Sequence, residues 1–528
     1  MDEISVSDPV RNIADLVRRA ARRNGTARAL IFRDTVLSWA ELDSRVDQAA
    51  AILRGLGLAE GERLAIALPN GLDFPVAYLG ALRAGLVVLP VNPGYTGREL
   101  AHVLGDSGAA AVIAGPGVLA EIERIRSELP ALVQLLAPTA LDEAVTPGGP
   151  VTTECGGEDL ALLIYTSGTS GRPKGAMLSH RAVLANLEQC SRIEPRVLNP
   201  DDVVLLVLPL FHVYGLNPGL GQVLWEGCTA VLAERFDPVS TLGLIARHKV
   251  TNVPGAPPMY VAWSLLPDFA ESFGHVRVAI CGADQLPTDT QERLRAATGR
   301  YVFEGYGLTE TAPVLTSTLM SDEPKPGSIG RPIPGVELRL IDVVSGADVM
   351  ARLDDLAEEH DEDDEDDTAD PGEIVVRGAN LFSGYWPDGR DGPDADGWWR
   401  TGDVAYADED GDLFLVDRIR ELILVSGFNV YPREVEDVLV THPGIVEAAV
   451  IGAPHPYTGE TVKAYVVTAP GVQLTAEDVI AHCERALARF KCPTTVEFAA
   501  ALPHSATGKV SKGRLRMAAR RGLDPSGV

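Results

Sequence analysis

From residue 1 to about residue 415 the chain alternates two hydrophobic patterns. DLVRRAARR and AELDSRVDQAAAILRGLG carry apolar residues every three or four positions and predict amphipathic helices. RLAIALP, AAAVIAG, ALLIYTS, VVLLVLP, TAVLAE, TNVPGAP and VRVAICG are short, β-rich apolar runs bounded by Gly or Pro, and predict strands. Strands alternating with helices imply parallel βαβ units in a layered α/β domain, where ligands bind beyond the carboxyl ends of the strands. Further on, GEIVVRG, LFLVDR and LILVSG read as short strands with turns. A new unit opens near Arg418: PREVEDVLVTHPG and AEDVIAHCERALARF have helical periods, while EAAVIGAP and KAYVVTAP read as strands. The expected fold is therefore α/β, with a large multi-subdomain N-terminal domain over residues 1–417, built on layered, mostly parallel sheets. A small α+β C-terminal domain follows over residues 418–528, with the junction at DRIR. No internal repeat is visible.

One apolar stretch is long enough to cross a bilayer. Val203–Trp225 holds no Asp, Glu, Lys or Arg, but it contains two prolines, three glycines and a histidine, and Asp201, Asp202 and Glu226 flank it. It reads as a buried strand, a loop and a core helix, so no transmembrane segment is expected. The acidic start, MDEISVSDPV, lacks the basic and apolar regions of a signal peptide.

At 528 residues the chain exceeds one ordinary core, and 46% hydrophobic with 23% charged residues is a globular composition. The six cysteines, at 155, 190, 228, 281, 483 and 492, form no CxxC pair, which fits free thiols in a reducing cytoplasm. A net charge of −28 argues against nucleic acid as a partner. Twelve Asp and Glu lie between Asp354 and Asp370, within an acidic insertion at about 351–370. Such a run is ordinarily a solvated loop; the other reading is a surface for an unknown partner.

Five motifs carry candidate chemistry. YTSGTSGRPKG, Tyr165 to Gly175, follows an apolar run and packs small residues, hydroxyls and one lysine into a single loop. Its free N–H groups, hydroxyls and Lys174 suit a polyphosphate, although a Gly/Ser turn has the same composition. It is no P-loop, because Pro173 stands where the second glycine would be. EGYGLTET, Glu304 to Thr311, places a glycine-flanked tyrosine, suited to stacking on a purine, before a Thr-Glu pair suited to phosphate and Mg²⁺. TGD, Thr401 to Asp403, offers a carboxylate for ribose hydroxyls. A charged DRIR sits inside residues 413–436, and LPHSATGKVSK carries Lys509.

In this order and spacing the five motifs resemble the AMP-forming adenylating superfamily, which includes acyl-CoA synthetases, aryl-CoA ligases, luciferases and adenylation domains of nonribosomal peptide synthesis. The resemblance runs from Tyr165 to Lys509. It implies that Thr166, Ser167, Gly168, Thr169, Ser170, Gly171 and Lys174 grip the ATP phosphates, that Tyr306 lies against adenine, Thr309 near the α-phosphate and Glu310 on Mg²⁺. It likewise gives Gly282, Ala283, Glu304, Gly305 and Gly307 to the nucleotide pocket, Asp403 and Arg418 to the ribose, and Lys509 to the adenylation step. In the family the C-terminal domain is mobile and turns between half-reactions; Arg420 stands at the pivot and Gly427 in the pantetheine channel.

The resemblance implies an ATP-, Mg²⁺- and CoA-dependent cytoplasmic ligase that makes acyl-AMP and then an acyl-CoA. Candidate acyl-pocket residues include His212, Gly215, Leu216, Pro254, Gly255, Met259 and Gly282. His212 either gates that pocket or is a bonded histidine at a strand end. No Arg or Lys is obvious for a polar tail, and Gly255, Gly282 and Gly307 are expected to leave room, favouring a medium- or long-chain fatty acid. The alternatives are an aryl-CoA (coumarate-like) ligase, a fatty acyl-AMP ligase loading a carrier protein, and a non-catalytic scaffold. Oligomeric state is open, a homodimer included. Relatives often read GGAPL where this chain has CGADQLP, which puts Asp284 in place of a proline.

Overall fold

The computed structural model describes residues 10–142, 151–166, 173–342, 345–349, 371–418, 421–425, 428–455, 459–504 and 509–521. Ser167, Gly168, Thr169, Ser170, Gly171, Arg420, Gly427 and the acidic run from Asp354 to Asp370 lie outside these residues. The chain divides into two compact units: one takes residues through Glu337 plus Arg377–Trp399, the other Leu338–Val376 and Arg400 onward.

The first unit holds two sheets. In one, the strand order is Gln134–Leu136, Ala111–Ala114, Arg63–Ala67, Val87–Pro90, Leu160–Thr166, Lys174–Ser179. Every neighbouring pair in it is parallel except the last, an antiparallel hairpin. The other sheet runs Thr35–Ser38, Arg28–Phe32, Thr229–Leu232, Val203–Leu206, Asn252–Gly255, Val278–Cys281, Val302–Gly307, Val314–Ser317, Ser328–Pro332. Its centre is parallel and both ends turn antiparallel. Near-continuous runs of Val, Ile, Leu and Ala, buried on both faces, are what parallel strands under helices require. Capping boxes start two of the helices: Ser38 with Glu41 before Trp39–Gly55, and Thr96 with Glu99 before Gly97–Ser107.

The apolar stretch after residue 203 resolves as expected in outline, with one difference. Strand Val203–Leu206 leads to a π-helical turn, Gly215–Gly221, before the short helix Gln222–Glu226. Pro218 lacks the N–H that a regular α-helix would use there, and π-turns of this kind gather at functional sites. Among the described residues no helix is long and apolar enough to cross a membrane.

In the second unit an antiparallel hairpin pairs residues 403–407 with Leu413–Arg418. A separate sheet orders Phe428–Val430, Ile423–Val425, Gly459–Thr468 and Ile445–His455, with Thr495–Phe498 added beside Gly459–Thr468. Helices Pro432–Val440 and Ala476–Cys483 share one apolar core with it. The second helix stops at Cys483, well short of the periodic run that predicted it. Five of the six cysteines are buried and Cys155 is half-buried; burial raises every one of the six thiols above its ordinary range, Cys190 and Cys483 to about 12.

Candidate active site

The hairpin Leu160–Thr166/Lys174–Ser179 sets the two ends of the hydroxyl-rich loop. Thr166 is the last residue paired before the loop and Lys174 is its partner across the hairpin. Lys174 Nζ lies 3.0 Å from Asp391 Oδ2 and 4.8 Å from the centre of the Tyr385 ring. The same tyrosine donates its hydroxyl to Glu310 Oε1 at 2.6 Å. One phenol thus joins the loop's lysine to the carboxylate of the LTET turn.

Glu310 is 7% exposed and sits in a single 3-10 turn, Thr309–Thr311, directly after the strand that carries Tyr306. Two hydrogen bonds to its carbonyls lock this turn: Phe382 N–H donates to that of Glu310 at 2.9 Å, and the side-chain Nδ2 of Asn380 to that of Thr311 at 2.8 Å. Tyr306 pairs with Thr316 of the next strand and is half-buried. At Gly307 an added Cβ would fall 1.8 Å from the Pro313 carbonyl oxygen, so only glycine lets the two backbones approach. Glu304, 6% exposed, accepts the Leu286 N–H at 2.9 Å and so fastens the CGADQLP turn. Within that turn Ala283 holds φ at +73°, the left-handed region an alanine rarely occupies. Asp284, the departure from the usual proline, is exposed to solvent.

The expected room at three glycines is not there. Gly255 faces the Tyr260 ring, 2.8 Å from where a Cβ would be, and Gly282 faces the Tyr214 ring at 3.0 Å. Gly307, as above, serves a backbone contact. Tyr214 spans the two strand ends, donating to the carbonyls of Gly255 at 3.2 Å and Ile280 at 3.3 Å, and burial holds its phenol neutral. Sequence inspection sees a glycine as space; only the fold shows which aromatic ring has taken it. His212 Nδ1 accepts the Tyr214 N–H at 3.3 Å, which makes it a neighbour of that ring.

In the second unit the hairpin register sets Asp403 opposite Arg418. Asp403 is 4% exposed. The TGD bend is built by Gly402 at φ +78°, whose N–H reaches Glu373 Oε1 at 3.1 Å, while Thr401 Oγ1 bridges the Ile374 carbonyl and the Asp403 N–H. Lys509 is exposed at the start of the closing segment. Tyr385 and Asp391 were not among the sequence candidates. Their signal was slight: an aromatic and an acid in the Gly/Pro-rich SGYWPDGRDG, with nothing to show which strand end they reach.

A lysine and a buried carboxylate, joined through Tyr385, lie at the carboxyl edge of parallel strands, where α/β sheets bind ligands. Two family models match the chain: AMP-binding enzyme over residues 17–386 and AMP-binding enzyme C-terminal domain over residues 434–509. A long-chain-fatty-acid–CoA ligase of Escherichia coli O157:H7 is 34% identical, with 98% of this chain and 96% of that one covered. A feruloyl-CoA synthase of Amycolatopsis sp is 35% identical, with 94% and 97% covered. ATP-bound MatB from Rhodopseudomonas palustris superposes with a TM-score of 0.85 at 33% identity, covering 96% of this chain and 99% of that one. The chain belongs to the AMP-binding enzyme family, as one of its AMP-forming acid–thiol ligases.

Proposed function

We propose that this ligase activates a medium- or long-chain fatty acid and passes the acyl group to CoA. A carboxylate oxygen attacks the α-phosphorus of ATP, the bond to the β-phosphate oxygen breaks, and pyrophosphate leaves. The CoA thiolate then attacks the acyl carbon of the mixed anhydride, and AMP departs with the electron pair. The observation that carries this reading is the single tyrosine that touches both Lys174 and Glu310. Lys174 exchanges Asp391 for a phosphate oxygen when nucleotide binds. Glu310 offers Mg²⁺ what that ion prefers, a carboxylate beside phosphate oxygens, and Tyr385 orients it by bonding one oxygen. The bound ion supplies charge neutralisation at the phosphates. Thr309 bonds the α-phosphate, Asp403 and Arg418 hold the ribose, and Lys509 meets the negative charge that builds as two anions approach.

The relatives named for long-chain acids and the apolar pocket candidates support the fatty reading. An aryl acid is the second reading, favoured by the Tyr214 ring beside Gly282 and by the feruloyl-named relative. Pyrophosphate release over acids from acetate to C18, benzoate and cinnamate, each with and without CoA, tests both. CoA-dependent turnover peaking at C8–C18 supports the proposal; a benzoate or cinnamate peak selects the aryl reading. Adenylate that accumulates without thioester overturns the CoA step. Lys509→Ala should lower adenylation by about 10²–10³-fold while thioester formation from preformed acyl-AMP persists.

A further inference from the structure

The hairpin that presents Thr166 and Lys174 is held from outside by one face of one helix. Helix Gly97–Ser107 carries His102 and Asp106 four residues apart, hence on the same face. Asp106 Oδ2 accepts the Tyr165 hydroxyl at 2.5 Å, immediately before Thr166. His102 Nε2 bonds the Pro173 carbonyl at 3.1 Å, immediately before Lys174. The two side chains therefore grip the hairpin next to Thr166 and next to Lys174, one on each side. The His102 and Tyr165 rings meet edge to face with centres 6.2 Å apart, so the two grips are themselves in contact.

A third tie closes the assembly. Trp386 Nε1 donates to the Asp106 carbonyl at 3.0 Å, and Trp386 N–H donates to the Gly175 carbonyl at 2.8 Å. Gly175 is paired with Tyr165, whose ring lies 3.2 Å from where its Cβ would be. Tyr385, the residue before Trp386, is the one that touches Lys174 and Glu310. Helix, hairpin and the SGYWP segment thus form a closed ring of contacts around the base of the loop. None of the nucleotide groups expected from the sequence lies on the helix. Of that face, His102 and Asp106 bond the hairpin.

We infer that His102 and Asp106 are positioning residues for the β- and γ-phosphates of ATP, acting through the hairpin ends that carry Thr166 and Lys174. The inference rests on the ligase reading and adds two residues to it. Loosening either grip leaves Thr166 and Lys174 to be ordered at the moment of binding, and that cost appears as weaker affinity for a nucleotide that uses them. AMP, which lacks both terminal phosphates, does not need them.

The test titrates MgATP and AMP separately into the whole chain and its variants. His102→Ala and Asp106→Ala should each weaken MgATP binding about fivefold or more, as expected for one lost hydrogen bond, with AMP affinity unchanged. His102→Gln keeps a donor near the Nε2 position and Asp106→Asn keeps an acceptor for Tyr165, so both should restore most of the loss. Unchanged MgATP affinity in both alanine variants overturns the inference alone. Equal losses for MgATP and AMP also overturn it, because they mark general damage to the fold. A wild-type chain that binds no MgATP overturns the ligase reading and this inference together.

Discussion

His180 is a buried switch for acid stability that takes no part in the chemistry. It opens helix His180–Ser191, is 1% exposed, and accepts the Ile13 N–H on Nδ1 at 3.1 Å. Protonation would remove that acceptor, bury a cation and set it at a helix N-terminus, where the dipole opposes it. Burial, only partly offset by Asp159, lowers the imidazole from 6.5 to about 4. Between those values the unfolded chain takes up a proton that the folded chain refuses. The stabilisation is therefore complete above pH 6.5 and is lost as pH falls toward 4. The full effect is about 3 kcal/mol, and about 2 kcal/mol of it falls between pH 7 and pH 5. His180→Asn keeps an acceptor for Ile13 but does not titrate. All six tryptophans lie in the first unit, so urea unfolding followed by tryptophan fluorescence reports that unit. Wild type should lose about 2 kcal/mol more than the variant on going from pH 7 to pH 5. Parallel pH profiles in the two proteins would refute the reasoning.

Tyr214→Ala removes the ring that covers Gly282. In competition assays it should move the ratio of kcat/KM for palmitate over octanoate upward by roughly tenfold, and no shift would show that Tyr214 does not limit the acyl group. Tyr385→Phe removes the hydroxyl on Glu310 Oε1 and should raise the half-saturating Mg²⁺ concentration roughly tenfold, read from pyrophosphate release against Mg²⁺ at fixed ATP. Gly307→Ala drives a Cβ into the Pro313 carbonyl and should cost about 2–3 kcal/mol, seen as a lowered urea midpoint by tryptophan fluorescence.

Much of the architecture was legible because its signals are local. Parallel strands such as Ala111–Ala114 and Val203–Leu206 are buried on both faces and announce themselves as continuous apolar runs. The motif loops lie where the βα alternation puts ligand sites, so Tyr306 and Glu310 could be named from spacing and resemblance together. What stayed hidden depends on contacts between distant segments. The Tyr385 bond to Glu310 joins residues 75 apart, and the Tyr165 bond to Asp106 joins residues 59 apart. Composition carries no trace of either. The pocket glycines misled for a related reason, since whether Gly255 and Gly282 are open depends on where Tyr260 and Tyr214 point. Asp403 and Arg418 lie between these extremes: the resemblance named both, and the fold sets them opposite each other in a hairpin.

An enzyme that holds an acyl-adenylate must keep a potent electrophile away from its own nucleophiles. A thiol near its ordinary pKa is a few per cent thiolate at neutral pH and would attack a mixed anhydride readily. Here burial raises every cysteine thiol above its ordinary range, Cys281 at the end of strand Val278–Cys281 included, so each is less thiolate at neutral pH. The thiols of the core thus behave as small hydrophobes. If the proposed acyl-adenylate forms, the packing that stabilises the sheets also leaves these thiols slow to attack it, so the acyl group would be kept for a thiol that arrives from solution.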